Sequence, residues 1–111
     1  MKIEIMEYNP DWTKNFEEEK IKLLRIFGSH AVAIEHIGST AIPNQRAKPV
    51  IDIFIGVSPF AELTFYQRIF NAKEYHHTPT DMTSRYLFAK YTNEVWTHNL
   101  HVLPYNDGFY L

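Results

Sequence analysis

The sequence predicts an α/β domain of the α+β kind, in which a mixed, largely antiparallel sheet is covered by helices. Three observations predict it. Apolar residues recur at helical spacing after Asn9-Pro10, residues 50–57 are almost continuously apolar, and residues 85–103 read as two strands around a polar turn.

Residues 2–8 alternate imperfectly and suit a short edge strand or an extended lead-in. Asn9-Pro10 then supplies a cap residue followed by a proline at the first helical position, where its missing N–H costs nothing. In the helix that follows, Trp12, Phe16, Leu23, Leu24 and Phe27 share a face. Asp11, Glu17, Glu18 and Glu19 come early and Lys20, Lys22 and Arg25 late, which complements the helix dipole, and Gly28 ends the helix. The acidic run is expected to be the solvated face.

Ala31 to Ile37 is a β-type run that breaks at Gly38-Ser39-Thr40, and residues 43–46 have loop chemistry. Val50 to Val57 reads as a strand buried on both faces, interrupted by Asp52. Ser58-Pro59 is expected to cap a second helix over about residues 59–72, with Phe60, Leu63, Tyr66, Ile69 and Phe70 at helical spacing. Residues 75–84 read as a loop, in which His76 and His77 are solvated. Residues 85–91 and 95–103 form an antiparallel hairpin around Thr92-Asn93-Glu94.

The chain has 111 residues, 45% hydrophobic and 22% charged, with no repeat or linker, and is expected to form one domain over residues 1–111. No cysteine is present, which excludes a disulfide framework and a thiol nucleophile and fits a cytoplasmic location. No stretch suits a signal peptide or a membrane span, so no membrane association is expected. A formal charge of −2 argues against broad nucleic-acid binding through counterion release, while leaving room for a small phosphorylated ligand.

The constellation with the most chemistry is His36-Ile37-Gly38-Ser39-Thr40 closing one strand, with Asp52 on the next. A Gly-Ser-Thr turn offers backbone N–H groups and two hydroxyls to a phosphate, and its glycine allows close approach. A carboxylate on an adjacent rigid strand can hold the cation that phosphoryl chemistry requires. Alternation puts Val50, Asp52 and Phe54 on one face and Ile51, Ile53 and Ile55 on the other, so Asp52 should face a cavity, a partner or a metal. The bland reading is that Asp52 pairs with Lys48, Arg46 or Arg85, or caps the turn.

The runs His36-Ile37-Gly38-Ser39-Thr40-Ala41-Ile42-Pro43 and Ala47-Lys48-Pro49-Val50-Ile51-Asp52-Ile53 resemble the signature of the GrpB family, grouped with the nucleotidyltransferase superfamily. Tyr8-Asn9-Pro10-Asp11-Trp12, Arg85-Tyr86-Leu87-Phe88 and His98-Asn99-Leu100-His101-Val102 resemble its other landmarks in order. The resemblance implies a polymerase-β-like fold. It further implies metal-dependent nucleotidyl or phosphoryl transfer, or else a non-catalytic binding or interaction module that retains the fold. The superfamily pattern asks for a second acid two residues after the first, and this chain has Phe54 there. Relatives of this type usually continue into further helices, so a C-terminal helical extension is expected to be missing here. The apolar end with Phe109 and Tyr110 would then favour a homodimer.

The expected site follows residue by residue. Asp52 and Ser39 are the catalytic candidates, and Gly38, Ser39, Thr40, Lys48 and Arg85 the phosphate-binding ones. Asp52 and His101 are the metal candidates, His101 because it shares a strand face with Asn99 and Leu103 whereas His98 lies on the opposite face. The expected cofactors are a divalent metal, Mn²⁺ or Mg²⁺ with a zinc-type ion as a further option, and a nucleotide. His36 is read as orienting the loop and Glu35 as a spare carboxylate, with a surface role favoured for each. No Walker A loop, dinucleotide fingerprint, nucleophile elbow or zincin helix occurs.

Overall fold

The computed structural model describes residues 4–81 and 84–105. Helix α1 (Asp11–Phe27) is followed by strands β1 (Ala31–Ile37) and β2 (Ile51–Val57), helix α2 (Leu63–Ile69), and strands β3 (Tyr75–Thr78), β4 (Tyr86–Thr92) and β5 (Val95–Pro104). The five strands form one sheet in the order β1-β2-β5-β4-β3. Among the described strands only β2 and β5 pair in parallel, so the sheet is mixed and largely antiparallel as expected.

Both helices pack on one face. Trp12, Phe16, Leu23 and Phe27 from α1 and Tyr66 from α2 meet Ile34, Ile53, Ile55, Leu100, Val102 and Phe88 of the sheet. The opposite face carries Asp52, Phe54, Asn99 and His101, which the cross-strand register sets side by side. Strand β2 is therefore buried fully on the helical face and only half on the other, where Asp52 and Phe54 sit. The near-continuous apolar run conceals this because Phe54 is apolar and faces outward.

Start and stop signals of α1 operate as read. Asn9 Oδ1 accepts the Asp11 N–H at 2.9 Å, Pro10 already has helical dihedrals, and Gly28 adopts φ 57°. Leu24 departs from the expected apolar face and is 46% exposed. Glu19 departs the other way: it is buried, taking a hydrogen bond from Tyr75 Oη at 2.6 Å and an ion pair from Lys90. The β4–β5 turn places Asn93 and Glu94 at positive φ, 50° and 67°, as a tight two-residue hairpin requires.

Two of the expected elements differ in the structure. The second helix begins at Leu63 rather than at the Ser58-Pro59 step, because Phe60 lies flat on Tyr86 with ring centroids 4.9 Å apart. The Ala61 N–H is taken by Tyr66 Oη and the Ala61 carbonyl by Tyr86 Oη, at 3.1 and 3.2 Å, which holds this segment extended. Residues 75–78, expected in a loop, form the edge strand β3 against β4. Met6 makes a single antiparallel bridge to Ala47, so the described part of the lead-in is extended. The expectations built on Phe109 and Tyr110 lie outside the described residues. Among those described, no helix is long and apolar enough to cross a membrane.

Candidate functional site

Gly38 ends β1 directly opposite the start of β2, because Ile37 and Asp52 are cross-strand partners. Its backbone, at φ 77° and ψ −170°, is in a region essentially restricted to glycine. A Cβ there would stand 3.1 Å from Asp52 Oδ2. The glycine therefore both reverses the chain and lets the turn close on the carboxylate. Gly38→Ala is expected to cost about 1–3 kcal/mol in stability, read from chemical denaturation, and to displace Asp52.

Residues Ser39–Ala41 make one 3-10 turn. Ser39 is exposed, whereas Thr40 is buried and its Oγ1 lies 2.8 Å from His36 Nε2. His36 is stacked on Phe16 at 4.9 Å, and burial lowers its pKa against the opposing pull of Asp52 and Glu17. The imidazole thus anchors the turn from the helical side, half-buried rather than at the surface. The Thr40 hydroxyl is committed to that anchor, which leaves Ser39 as the hydroxyl turned outward.

Ser39, Thr40, Lys48 and Asp52 line one cleft of about 400 Å³, together with Arg46, Ala47, Val50, Ile5, Trp96 and Asn99. The Met6–Ala47 bridge closes one side, and β5 supplies the other. Trp96 Nε1 donates to Asn99 Oδ1 at 3.1 Å. Since the indole N–H can only donate, the Asn99 amide must turn its oxygen to Trp96, which leaves its NH₂ group as a donor beside Asp52. Lys48 and Arg46 are exposed, and Arg46 also pairs with Glu7 at 3.3 Å.

The Asp52 side chain is 34% exposed, so it is a cleft-wall carboxylate rather than a buried one. Its Oδ1 lies 3.7 Å from His101 Nε2. Arg85 Nη1 reaches His101 Nδ1 at 3.4 Å, and the guanidinium lies 5.1 Å from the centre of the Phe54 ring. A guanidinium only donates, so His101 Nδ1 accepts and the ring proton sits on Nε2, facing Asp52. Arg85 is absent from the cleft lining and acts on Asp52 through His101. Neither Arg85 nor Arg46 forms the direct pair with Asp52 that the bland reading offered.

Of the residues singled out from the sequence, Ser39, Thr40, Lys48 and Asp52 line the cleft, Gly38 and His101 approach Asp52 from outside that lining, and Arg85 reaches only His101. Sequence reasoning missed Trp96 and Asn99. The signal available was the period-2 alternation of β5, which puts Asn99 on the His101 face. His76 and His77 point to opposite sides of β3, the first against Tyr91 and the second against Phe88. Among the described residues, no group of three or more His, Asp or Glu side chains is arranged to hold a metal ion.

Comparison with known proteins agrees with the overall fold. The family model described as "GrpB protein" matches residues 2–109. UPF0157 protein YqkA of Bacillus subtilis is 39% identical over 110 residues, which are 96% of this chain and 31% of that protein. Glutamate-rich protein GrpB of Alkalihalophilus pseudofirmus is 32% identical over 111 residues, covering 96% of this chain and 64% of that one. The crystal structure of conserved protein GrpB from Enterococcus faecalis superposes with a TM-score of 0.85 at 30% identity, over 95% of this chain and 64% of that chain. The chain spans between 31% and 64% of the length of these relatives.

Proposed function

The chain belongs to the GrpB family, and on that footing we propose that its cleft binds a nucleotide or another phosphorylated small molecule in the manner of a nucleotidyltransferase. The observation that carries the reading is the closure of the Gly38 turn on Asp52, with the Ser39 hydroxyl, the Lys48 ammonium and the Asn99 amide around the same cavity. These are donors and a cation of the kind that hold phosphate oxygens. Arg46 adds charge at the rim, and Trp96 offers a ring of the kind on which a base stacks.

Within that reading, Asp52 and Ser39 are the residues nearest the reacting groups. Asp52 Oδ1 and His101 Nε2 would hold a divalent ion, the imidazole in the tautomer whose proton has moved from Nε2 to Nδ1 and which therefore no longer accepts from Arg85. This oxygen and imidazole pair suits manganese or zinc-type ions better than magnesium. The ion would supply charge neutralisation for phosphoryl or nucleotidyl transfer. The chain's own groups orient the phosphate through Ser39 and Lys48 and keep the Asp52 carboxylate between turn and imidazole.

A second reading, a binding module without turnover, is favoured by one observation. Phe54 stands where a second acid is wanted and carries the Arg85 guanidinium on its ring. Calorimetric titration with a nucleoside triphosphate, with and without Mn²⁺, tests binding, and release of pyrophosphate or phosphate tests turnover. Lys48→Ala is expected to weaken binding roughly ten- to a hundredfold, the cost of one charged hydrogen bond. Asp52→Ala should abolish the increment due to Mn²⁺. Absence of triphosphate binding by the wild type sinks both readings, and binding without turnover selects the second.

A further inference from the structure

The first residues of β5, Val95, Trp96 and Thr97, run past the start of β2, whose Ile51 pairs with His98. They overhang the loop that leads into β2, and Trp96 shares the cleft with Lys48 and Val50 of that loop.

Opposite them the register slips. Lys90 pairs with His98 but Tyr91 pairs with Trp96, so Thr97 is an extra residue on β5, a β-bulge. Strict alternation would put Trp96 on the face of His98 and Leu100, beneath the helices. The bulge instead leaves Thr97 and His98 side by side on the helical face, with Oγ1 2.8 Å from Nδ1, and turns Trp96 to the face of Asn99. Bulges beside binding sites serve to re-aim a side chain in this way.

The re-aimed indole is also tethered. Its Nε1 donates to Asn99 Oδ1 at 3.1 Å, which uses its one polar group, so Trp96 offers the cleft an apolar ring. Ile5, 59% exposed, lines the same cleft from the lead-in. Two large apolar surfaces therefore stand in a cleft whose other lining includes Ser39, Lys48 and Asp52. Inorganic phosphate or a plain sugar phosphate has little to set against them, whereas a planar aromatic ring stacks on indole whatever its edge substituents.

The geometry points to Trp96 as the specificity-determining residue of this cleft: among phosphorylated ligands it selects those that carry a planar aromatic ring, stacked on the indole with Ile5 as a second contact. For the charged end of the ligand this rests on the phosphate reading above; for the ring end it rests on the bulge, the tether and Ile5.

Calorimetry and indole emission of the full chain with ATP, inorganic tripolyphosphate and adenosine test the two ends separately. ATP is expected to bind about tenfold or more tighter than tripolyphosphate and to quench indole emission. The other tryptophan, Trp12, is 3% exposed in the core, so the quenching should vanish in Trp96→Phe while most of the preference for ATP persists, because a ring remains. In Trp96→Ala the ATP affinity should fall to that of tripolyphosphate, with tripolyphosphate binding unchanged. Ile5→Ala, at an exposed position, should weaken ATP a few-fold and tripolyphosphate not at all, and it carries the test if Trp96→Ala does not fold. Equal affinity for ATP and tripolyphosphate, or an ATP affinity untouched by Trp96→Ala, overturns this proposal and leaves the phosphate reading standing. Adenosine quenching that depends on Trp96, without any binding of tripolyphosphate, upholds the ring site and sinks the phosphate reading. Binding of none of the three overturns both.

Discussion

Glu19→Ala is expected to destabilise the domain by about 3–5 kcal/mol, a large part of what a chain of this size has. Glu19 is 2% exposed and joins α1 to β3 and β4 by accepting from Tyr75 and pairing with Lys90, itself 6% exposed. Removing the carboxylate leaves the Lys90 ammonium buried without its counterion, and the desolvation cost of that charge is then unopposed. Burial, reinforced by the Glu19 charge, also holds the Tyr75 phenol above its ordinary pKa, so it remains a donor throughout the accessible range. Tyr75→Phe should cost less, about 1.5–3 kcal/mol, because only one charged hydrogen bond is lost. The double change Glu19→Met with Lys90→Met should be far milder than Glu19→Ala, since it removes both charges and keeps the volume. Urea denaturation of the four proteins measures the set. A mild Glu19→Ala would mean that water reaches Lys90.

Stability is expected to fall as the pH is lowered from neutrality, by on the order of 3 kcal/mol through His98. Burial depresses this imidazole from the ordinary 6.5 to about 4, against the pull of Glu19, with Lys90 and His36 adding repulsion. Between those two values the unfolded chain holds a proton that the folded chain excludes. The unfolded state therefore gains as the pH drops through the window, and below about 4 this group contributes no further change. His36 is shifted in the same direction, also by burial, and adds to the slope. Denaturation midpoints from about pH 7 to about pH 5, where few carboxylates titrate, should decline for the wild type and much less for His98→Phe. Equal slopes in the two proteins would contradict the assignment.

How much of this was legible beforehand depends on whether the signal was local. The ends of α1 were readable because Asn9-Pro10 and Gly28 act on neighbouring backbone, and the β4–β5 hairpin because Asn93-Glu94 suits a tight turn. The helical reading of Phe60 failed because its ring is spent on Tyr86, a residue far along the chain. Strand β3 was missed because four residues, two of them histidines, are too few to set a period. Glu19 lay three residues from Phe16 and four from Leu23, on the buried stripe, but its acidity in a Glu-Glu-Glu run masked the spacing.

The site divides in the same way. Gly38 and Asp52 face one another through a local antiparallel pair, so the turn and its acid could be read together. The opposite wall, Trp96 and Asn99, arrives through the parallel pairing of β2 with β5, which no local pattern encodes. The exposure of Asp52 was misjudged for a related reason. An apolar neighbour, Phe54, suggested burial on both faces, whereas that ring serves as the seat of Arg85.

Whether the Gly38–Asp52 cleft takes a phosphate ligand is read from backbone amide shifts of the labelled protein during titration with a nucleoside triphosphate. Saturable changes are expected, concentrated at Ser39, Thr40, Lys48, Asp52 and Asn99 and suppressed by Lys48→Ala. No saturable change, or changes confined to other surfaces, would contradict the phosphate reading.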